Sequence, residues 1–363
     1  MKLFSRLLVA PAALGLMAPV AANADTAFSS TTSLSGSAFF TVGSVSDGGP
    51  TDDQEELYMQ YAYSLDINSS FTGKDLLYVG IETGNASEDT VILTGDDGIT
   101  VGADNSSPLT FMDSAVVGDG SLNIASLFYS FPVGSLTVTA GPLVDQDDVV
   151  AATTSAYSDS FRLGSMPFSL AGAETGPGIG VSYNADNGVV ASASFVSPNG
   201  DNSSIGINSN DADDVTTLTL GYNGDGFGGG IVYANNDNDD NNALTLSGET
   251  LGLGVYYSPE SIPATISVAY DSADVDGFNS ATDLFVGVDY EVGPGTLSAA
   301  YNSTDIDGPD PRAGQNWADT NGFEVSYTYA LNDSMTITPG WFSVEDNFGQ
   351  DDTGFVVETA FKF

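Results

Sequence analysis

The feature that most constrains this 363-residue chain is the way its strand-like segments are joined. About sixteen segments alternate apolar and polar residues with the period of two expected of a half-buried strand. The connections are alternately short and long along the chain. A closed barrel that crosses a membrane requires this parity, because successive strands emerge on opposite sides and hydrocarbon permits no unpaired strand edge. The pattern predicts an all-β, antiparallel transmembrane barrel of about 16 strands over residues 36–363.

The predicted strands are 36–46, 55–68, 75–84, 121–131, 136–144, 179–184, 190–197, 215–222, 228–235, 249–258, 264–273, 282–292, 295–304, 322–331, 335–346 and 354–363. With both termini in the periplasm, the external connections would be 47–54, 85–120, 145–178, 198–214, 236–248, 274–281, 305–321 and 347–353. The remaining connections would be short periplasmic turns. Within 85–120, the segments 91–93 and 109–111 could pair as an additional hairpin, which would raise the strand count by two.

Individual segments divide into two chemically different faces. In 57–68, Met59 and Tyr61 lie on the opposite face from Gln60 and Ser64, and 323–331 and 355–363 show the same division. A soluble β-sandwich also alternates in this way. The span length, the terminal aromatic residues and the even strand count favour a barrel with one face toward lipid and the other toward water.

The N-terminus has the organisation of a secretory signal. Lys2 and Arg6 precede an apolar stretch, and small residues end at Ala24 before Asp25. We therefore expect 1–24 to be a signal peptide cleaved between Ala24 and Asp25, followed by a short periplasmic lead over 25–35. No later segment has the roughly 18 uninterrupted apolar residues of a membrane-spanning helix.

The composition excludes several classes of function. The chain has no Cys and no His, so disulfides, Cys/His zinc sites and His-based catalytic triads are impossible. That absence argues against an outer-membrane phospholipase. We predict neither an enzyme nor a cofactor or metal site.

The charge is strongly negative, with a formal net value of −43. Loss of the predicted signal peptide leaves Lys74, Arg162, Arg312 and Lys362 as the basic residues, against 49 acids. Such a chain repels phosphate backbones, which excludes nucleic acid as a partner. Acidic runs fall in the predicted external connections, including 211–214, 237–240 and 351–352, so one rim should be anionic.

The long connection 145–178 is the candidate constriction. A barrel of about sixteen strands is too wide for its wall side chains to fill, so selectivity requires a segment folded into the lumen. The candidate pore residues in this connection are Asp145, Asp147, Asp148, Asp159, Arg162 and Glu174. Their excess of acids predicts a preference for cations. The alternatives are a surface loop in which Arg162 forms an ordinary salt bridge, or a plug formed by 85–120.

Two low-complexity runs and the last residue complete the candidates. The Asn/Asp run 235–242 is interpreted as a solvated loop rather than a Ca²⁺ site, because it lacks the Gly turn and bidentate Glu of an EF-hand. The Gly-rich run 224–230 is interpreted as a flexible periplasmic turn. Phe363 ends an alternating aromatic strand and is predicted to be a barrel-assembly signal; the alternative is one more lipid-facing aromatic residue.

Several segments resemble a known family, the cyanobacterial outer-membrane porins related to OprB-like carbohydrate-selective porins, often labelled iron-uptake porins. The similar segments are the N-terminal signal, the hairpin 69–77, the stretch 140–144, and the pair 178–183 and 191–196. The resemblance implies an outer-membrane location, contact with outer-membrane lipid and lipopolysaccharide, small ions or solutes as cargo, and a possible homotrimer. Members usually carry an S-layer-homology domain before the barrel, and between Asp25 and the first predicted strand there is no room for one.

The sequence thus predicts a passive outer-membrane porin that prefers cations. The alternative is a secreted, acidic, β-rich surface protein or adhesin, which would be water-soluble after cleavage of the signal peptide.

Overall fold

The computed structural model describes residues 31–46, 56–86, 116, 120–158, 175–237, 247–275, 280–307, 319–347 and 350–363. The strands are β1 (Thr32–Ser46), β2 (Tyr58–Ser69), β3 (Leu76–Gly84), β4 (Asn123–Val133), β5 (Leu136–Asp145), β6 (Thr175–Asn184), β7 (Val189–Val196), β8 (Asp214–Asn223), β9 (Phe227–Asp237), β10 (Gly248–Tyr257), β11 (Ala264–Val275), β12 (Ser280–Val292), β13 (Gly295–Asp307), β14 (Thr320–Asn332), β15 (Met335–Asn347) and β16 (Gln350–Lys362). One short 3₁₀ turn, Gln146–Asp148, follows β5. Among the described residues, no helix is long and apolar enough to cross a bilayer.

The strands form one closed antiparallel barrel in which each strand pairs with its neighbours in sequence. β1 also pairs with β16, in a register that places Phe39 opposite Ala360. Beyond the end of β16, Gly36 and Phe363 exchange backbone hydrogen bonds of 2.9 and 3.1 Å. Closure leaves no free sheet edge, which is the condition for strands to survive in hydrocarbon. The predicted 16-stranded antiparallel barrel is confirmed.

The alternation seen in the sequence becomes an outer and an inner face. Met59 is 63% exposed on the outside, whereas the next residue, Gln60, is 7% exposed and points inward. Phe323 and Glu324 divide in the same way on β14. Pleating places consecutive side chains on opposite sides of a sheet, so one sequence supplies an apolar exterior and a polar interior.

The two ends of the barrel differ in their connections. One end, called here the short-turn end, joins β2–β3, β4–β5, β6–β7, β8–β9, β10–β11, β12–β13 and β14–β15 by turns of a few residues. The opposite end, the long-connection end, carries every long connection. The additional hairpin considered for 91–93 and 109–111 lies outside the described residues.

The turn between β2 and β3 is built around the Asp75 carboxylate. It accepts hydrogen bonds from the backbone N–H groups of Phe71 and Thr72, from the hydroxyls of Ser70 and Thr72, and from the Tyr129 hydroxyl on β4. Desolvation raises the pKa of Asp75, but these hydrogen bonds outweigh it and hold the pKa well below its usual range. The carboxylate therefore fixes this turn to the neighbouring strand.

Many expected strand boundaries differ from the observed ones by a few residues; β16, for example, begins at Gln350 rather than at 354. β1 begins at Thr32, so the end of the expected lead belongs to the sheet. The Gly-rich run interpreted as a flexible turn is a turn only at its start: Gly226 has a positive φ of 75°, and Phe227 already begins β9. The predicted strand 228–235 already includes the last three glycines of this run. Its last glycines are therefore part of the wall, where they pair with β8 and β10.

Candidate pore constriction

The chain between Asp145 and Ser158, called here the inner segment, follows the inside of the barrel wall. It starts with the 3₁₀ turn, in which the Asp145 side chain accepts a hydrogen bond of 3.1 Å from the backbone N–H of Asp147. The Gln146 side-chain amide then donates to the Thr217 hydroxyl on β8 at 2.7 Å. Gln146 is completely buried. The segment therefore turns away from solvent as soon as β5 ends.

Polar side chains of the wall hold the middle of the inner segment. The backbone N–H of Ala151 donates to the Ser192 hydroxyl on β7 at 3.1 Å. The Asn223 amide of β8 accepts from the Thr153 N–H and donates to the Ala151 carbonyl, both at 3.0 Å. Further along, the Ala156 N–H donates to the Ser267 hydroxyl on β11 at 3.0 Å. These wall groups satisfy backbone groups of a segment that belongs to no sheet.

Two carboxylates hold the far end of the inner segment. Asp289 on β12 accepts from the Ser158 N–H at 2.8 Å and from the Ser158 hydroxyl at 2.6 Å. Glu324 on β14 accepts from the Tyr157 hydroxyl at 2.7 Å. Burial, and then the charge of Glu324, raises the pKa of Tyr157 far above its ordinary value, so the phenol remains a hydrogen-bond donor.

An apolar contact supports this attachment. The Tyr157 ring packs edge-on against Phe285 of β12 with a centroid separation of 5.4 Å. Ala269 and Ala300 complete the cluster. The inner segment thus runs from β5 to β14 along the inner wall, and the role of connection 145–178 as the constriction stays a prediction.

The structure places three of the six candidate pore residues. Asp145 and Asp147 are 5% and 2% exposed, and Asp148 is half-buried, so all three lie at the root of the inner segment rather than at its middle. Burial, followed by the charges of Asp145, Asp147 and Asp66, raises the pKa of Asp148 well above its ordinary value. These three acids lie near one another.

The remaining predicted site residues fall outside the described ranges. They are Asp159, Arg162 and Glu174 of the candidate constriction, and Ala24 and Asp25 of the predicted cleavage site.

Sequence reasoning missed the carboxylates on the wall itself. Their shared property is an inward, buried position on a strand; they are Glu82, Asp271, Asp283, Asp289, Glu324 and Glu358. Asp283, for example, accepts from Asn302 at 3.0 Å and from Thr304 at 2.7 Å on the adjacent β13. The signal was present in the alternation, because each of these acids falls on the polar face of its strand.

The described basic side chains lie elsewhere. Lys74 is in the turn before β3 and Lys362 is at the end of β16, so both are exposed at the short-turn end. Within the described ranges, no three acidic side chains are arranged to hold a metal ion.

Connection 85–120 also reaches the barrel interior. Its carbonyl at Val116 accepts from the Ala86 N–H at 3.1 Å. The Val116 side chain packs on Phe39, Ala62 and Ala360, inward residues of β1, β2 and β16. The sequence left this connection as an alternative plug. Its described part contacts β16, β1 and β2, on the opposite arc of the wall from the inner segment.

Phe363 lies at the seam between the first and last strands. Its side chain is 62% exposed, and its ring stacks on Tyr63 with a centroid separation of 6.0 Å. The backbone pairs with Gly36, so the residue is part of the closure of the barrel.

Comparison with known proteins agrees with this architecture. Pseudomonas putida OprB, in a high-pH structure, is 9% identical, with coverage of 92% of this chain and 94% of that chain and a TM-score of 0.66. A mutant of the Rh. blastica porin is 15% identical, with coverage of 92% and 100% and a TM-score of 0.56. At these identities, the likeness establishes the shared barrel fold. A comparison with curated proteins gave no significant match.

A family model gives the assignment. The model described as Gram-negative porin matches residues 10–339, which is most of the chain. The expected porin family is thereby confirmed, while the relation to carbohydrate-selective porins and the cyanobacterial origin stay predictions. Family and fold point to a channel rather than an enzyme. The chain belongs to the Gram-negative porins, which are outer-membrane channels for the diffusion of solutes.

Proposed function

We propose that this porin is a cation-preferring diffusion channel for small hydrophilic solutes, with its narrowest part formed by connection 145–178. The observation that carries the proposal is the inner segment, which lies inside the barrel and is attached to wall strands as distant as β14. A segment in this position reduces the free cross-section of the lumen.

The charge distribution supports the preference for cations. The described inner wall bears several carboxylates, and the acids of the inner segment add to them. The two described lysines are both at the short-turn end. A low-dielectric channel that is lined by one sign of charge concentrates counter-ions and repels ions of the same sign. We therefore expect cations to be enriched along the pathway.

The secreted-adhesin alternative is not favoured because of the outer surface. On β10, Leu251, Leu253 and Val255 all face outward and are 58%, 49% and 52% exposed. Equivalent apolar positions occur on the other strands, giving an exterior band that suits lipid rather than water.

The test is a reversal potential measured in a planar bilayer under a gradient of potassium chloride. The wild-type channel should favour potassium. The variant Asp145→Asn, Asp147→Asn, Asp148→Asn should lose part of this preference even at 1 M salt, where the Debye length is about 3 Å and only nearby charges act on the ion. The matched control neutralises acids of the predicted external connection 236–248, with Asp237→Asn, Asp239→Asn and Asp240→Asn, and should reduce the preference at low salt alone. Anion selectivity of the wild type would refute the proposal.

Three further features belong to the same proposal. Residues 1–24 act as a cleaved signal peptide, with Ala24 and Asp25 at the cleavage site. The outer apolar band contacts outer-membrane lipid and lipopolysaccharide. The protein assembles as a homotrimer, for which crosslinking of intact cells is a direct measurement.

Phe363 is proposed to be an assembly signal. Its position at the seam, with backbone hydrogen bonds to Gly36, supports a role in closing the barrel. Deletion of Phe363 should lower the yield of heat-modifiable barrel in the outer membrane while secretion continues. The matched change Phe361→Ala removes an aromatic ring of the same strand and keeps the last residue, and it should have the smaller effect.

A further inference from the structure

The wall under the inner segment contains a row of unusually small residues. Across four consecutive strands, Gly221 of β8 pairs with Gly230 of β9, Gly230 with Gly254 of β10, and Gly254 with Ala269 of β11. These four residues, called here the small-residue row, therefore lie side by side around the circumference. The inner segment passes along the inner face of the wall at this level. Its hydrogen-bond partners Asn223 and Ser267 lie two positions from the row on β8 and β11.

A side chain at any of the three glycines of this row would collide with the inner segment. A Cβ atom added to Gly230 would lie 2.6 Å from the Ala152 Cβ, and one added to Gly221 would lie 2.7 Å from the same atom. A Cβ at Gly254 would lie 2.7 Å from the Thr154 Cβ and still nearer to the Thr154 carbonyl oxygen. Real Cβ atoms essentially never approach other atoms this closely. The segment lies as near to the wall as the backbone permits.

The same arrangement continues at both ends of the row. A Cβ at Gly180 of β6 would meet the Val149 side chain, and one at Gly287 of β12 would lie 2.6 Å from the Tyr157 ring. Five strands between β6 and β12 thus present glycine where the inner segment passes.

The inner segment itself has two different faces. Val150, Ala152 and Thr154 are buried, with Ala152 at 2% exposure and in contact with the row. The intervening Ala151, Thr153 and Ser155 are half-buried. The alternation of burial along 150–155 places this second set on the side away from the wall. It consists of small, uncharged residues.

We propose that the small-residue row determines the bore of the pore. By omitting side chains under the inner segment, the wall lets that segment lie flat, and Ala151, Thr153 and Ser155 become the surface that passing solutes meet. The proposal rests on the proposed function, since it assumes an open channel. A side chain at any of the three glycines of the row would move the segment toward the axis by about 1.5 Å, the length of a carbon–carbon bond.

The sharpest test uses the absence of cysteine from the chain. Thr153→Cys and Thr154→Cys are nearly isosteric changes at adjacent positions, one facing the lumen and one facing the wall. A small cationic methanethiosulfonate reagent should modify Cys at 153 and lower the single-channel conductance. The same reagent should leave the protein with Cys at 154 unmodified. Equal modification of both variants, or modification at 154 alone, would overturn the assignment of the two faces.

A single added methyl group tests whether the row determines the bore of the pore. A methyl group added to Gly230 would meet the Ala152 Cβ before any other atom. Gly230→Ala should therefore lower the conductance and exclude the largest neutral polymer that the wild type admits. The double variant Gly230→Ala, Ala152→Gly removes the opposing methyl and should restore both values. An unchanged Gly230→Ala channel, or a double variant as narrow as the single one, would contradict the proposal.

These experiments separate the inference from the proposed function. Modification of Cys at 153 and 154 can also be measured by mass on the folded, detergent-solubilised protein, and that measurement needs no ion flow. If the Thr153→Cys protein is labelled and the wild-type protein does not conduct, the channel function is contradicted and the assignment of the two faces stands. If Gly230→Ala does not fold, the two cysteine variants still show which face of the inner segment points toward the lumen.

Discussion

Two arcs of the inner wall are covered by chain from long connections, and they achieve this differently. On the arc from β6 to β14, the inner segment is held by directional hydrogen bonds to Ser192, Asn223, Ser267, Asp289 and Glu324, over a wall of minimal side chains. On the arc formed by β16, β1 and β2, the described contact is apolar, with Val116 on Phe39, Ala62 and Ala360. Hydrogen bonds have narrow geometric limits, whereas hydrophobic contact is non-directional. The hydrogen bonds of the first arc should therefore fix the position of the inner segment. The apolar contact of the second arc should mainly hold connection 85–120 against the wall.

The strongest test of this contrast removes the Asp289 carboxylate. Asp289→Ala deletes the acceptor for two of the hydrogen bonds of Ser158 and leaves the contact of its hydroxyl with the Ser298 hydroxyl at 2.7 Å. Hydrogen bonds to charged groups contribute about 1.5–3 kcal/mol each. We expect the far end of the inner segment to detach and the open-channel current noise to rise sharply.

The matched control for this change is Asp289→Asn. It retains the side-chain volume and one carbonyl acceptor, so it should fall between Asp289→Ala and the wild type. Equal noise in the wild type and Asp289→Ala would show that the far end does not depend on this carboxylate.

Removal of the Tyr157 hydroxyl should have a smaller effect on the current noise. Tyr157→Phe keeps the ring packed on Phe285 and removes one hydrogen bond to Glu324, which costs about 1.5–3 kcal/mol. The inner segment should stay in place on average but fluctuate more, giving a modest rise in noise with unchanged mean conductance. A fall in mean conductance would mean that the hydroxyl controls the position of the segment and not only its stability.

The smallest effect should come from the apolar arc. Val116→Ala removes two methyl groups from a buried cluster, a loss of about 1.5 kcal/mol of burial free energy. The temperature at which the heat-modifiable band shifts should decrease slightly, with noise and conductance unchanged. If Val116→Ala raised the noise as much as Asp289→Ala, the distinction between the two arcs would fail.

The sequence was sufficient for the wall because strand patterns are local. The predicted segments 295–304 and 335–346 correspond to Gly295–Asp307 and Met335–Asn347, with differences only at the ends. A period of two can be read from neighbouring residues, and Gly and polar residues mark the turns. A long connection in a wide barrel also made 145–178 the candidate constriction, and this role stays a prediction.

The contacts of the inner segment could not be predicted in the same way. Tyr157 and Glu324 are 167 residues apart, and their meeting depends on the register of every strand between them. For the same reason, the sequence pattern left the last glycines of 224–230 both in a flexible turn and in the predicted strand 228–235. Only the paired register shows that Gly230 lies between Gly221 and Gly254 on the inner wall.

The distance in sequence between the inner segment and its partners also determines when the pore can take its final form. Ser158 bonds to a residue 131 positions later, and Tyr157 to one still further along the chain. Contacts of such high sequence separation form late, because the ordering of the intervening chain must precede them. The inner segment cannot complete its attachments until β14 has joined the sheet. A barrel that is still being assembled therefore encloses a segment without its final anchor, and a defined bore arises only near the end of folding.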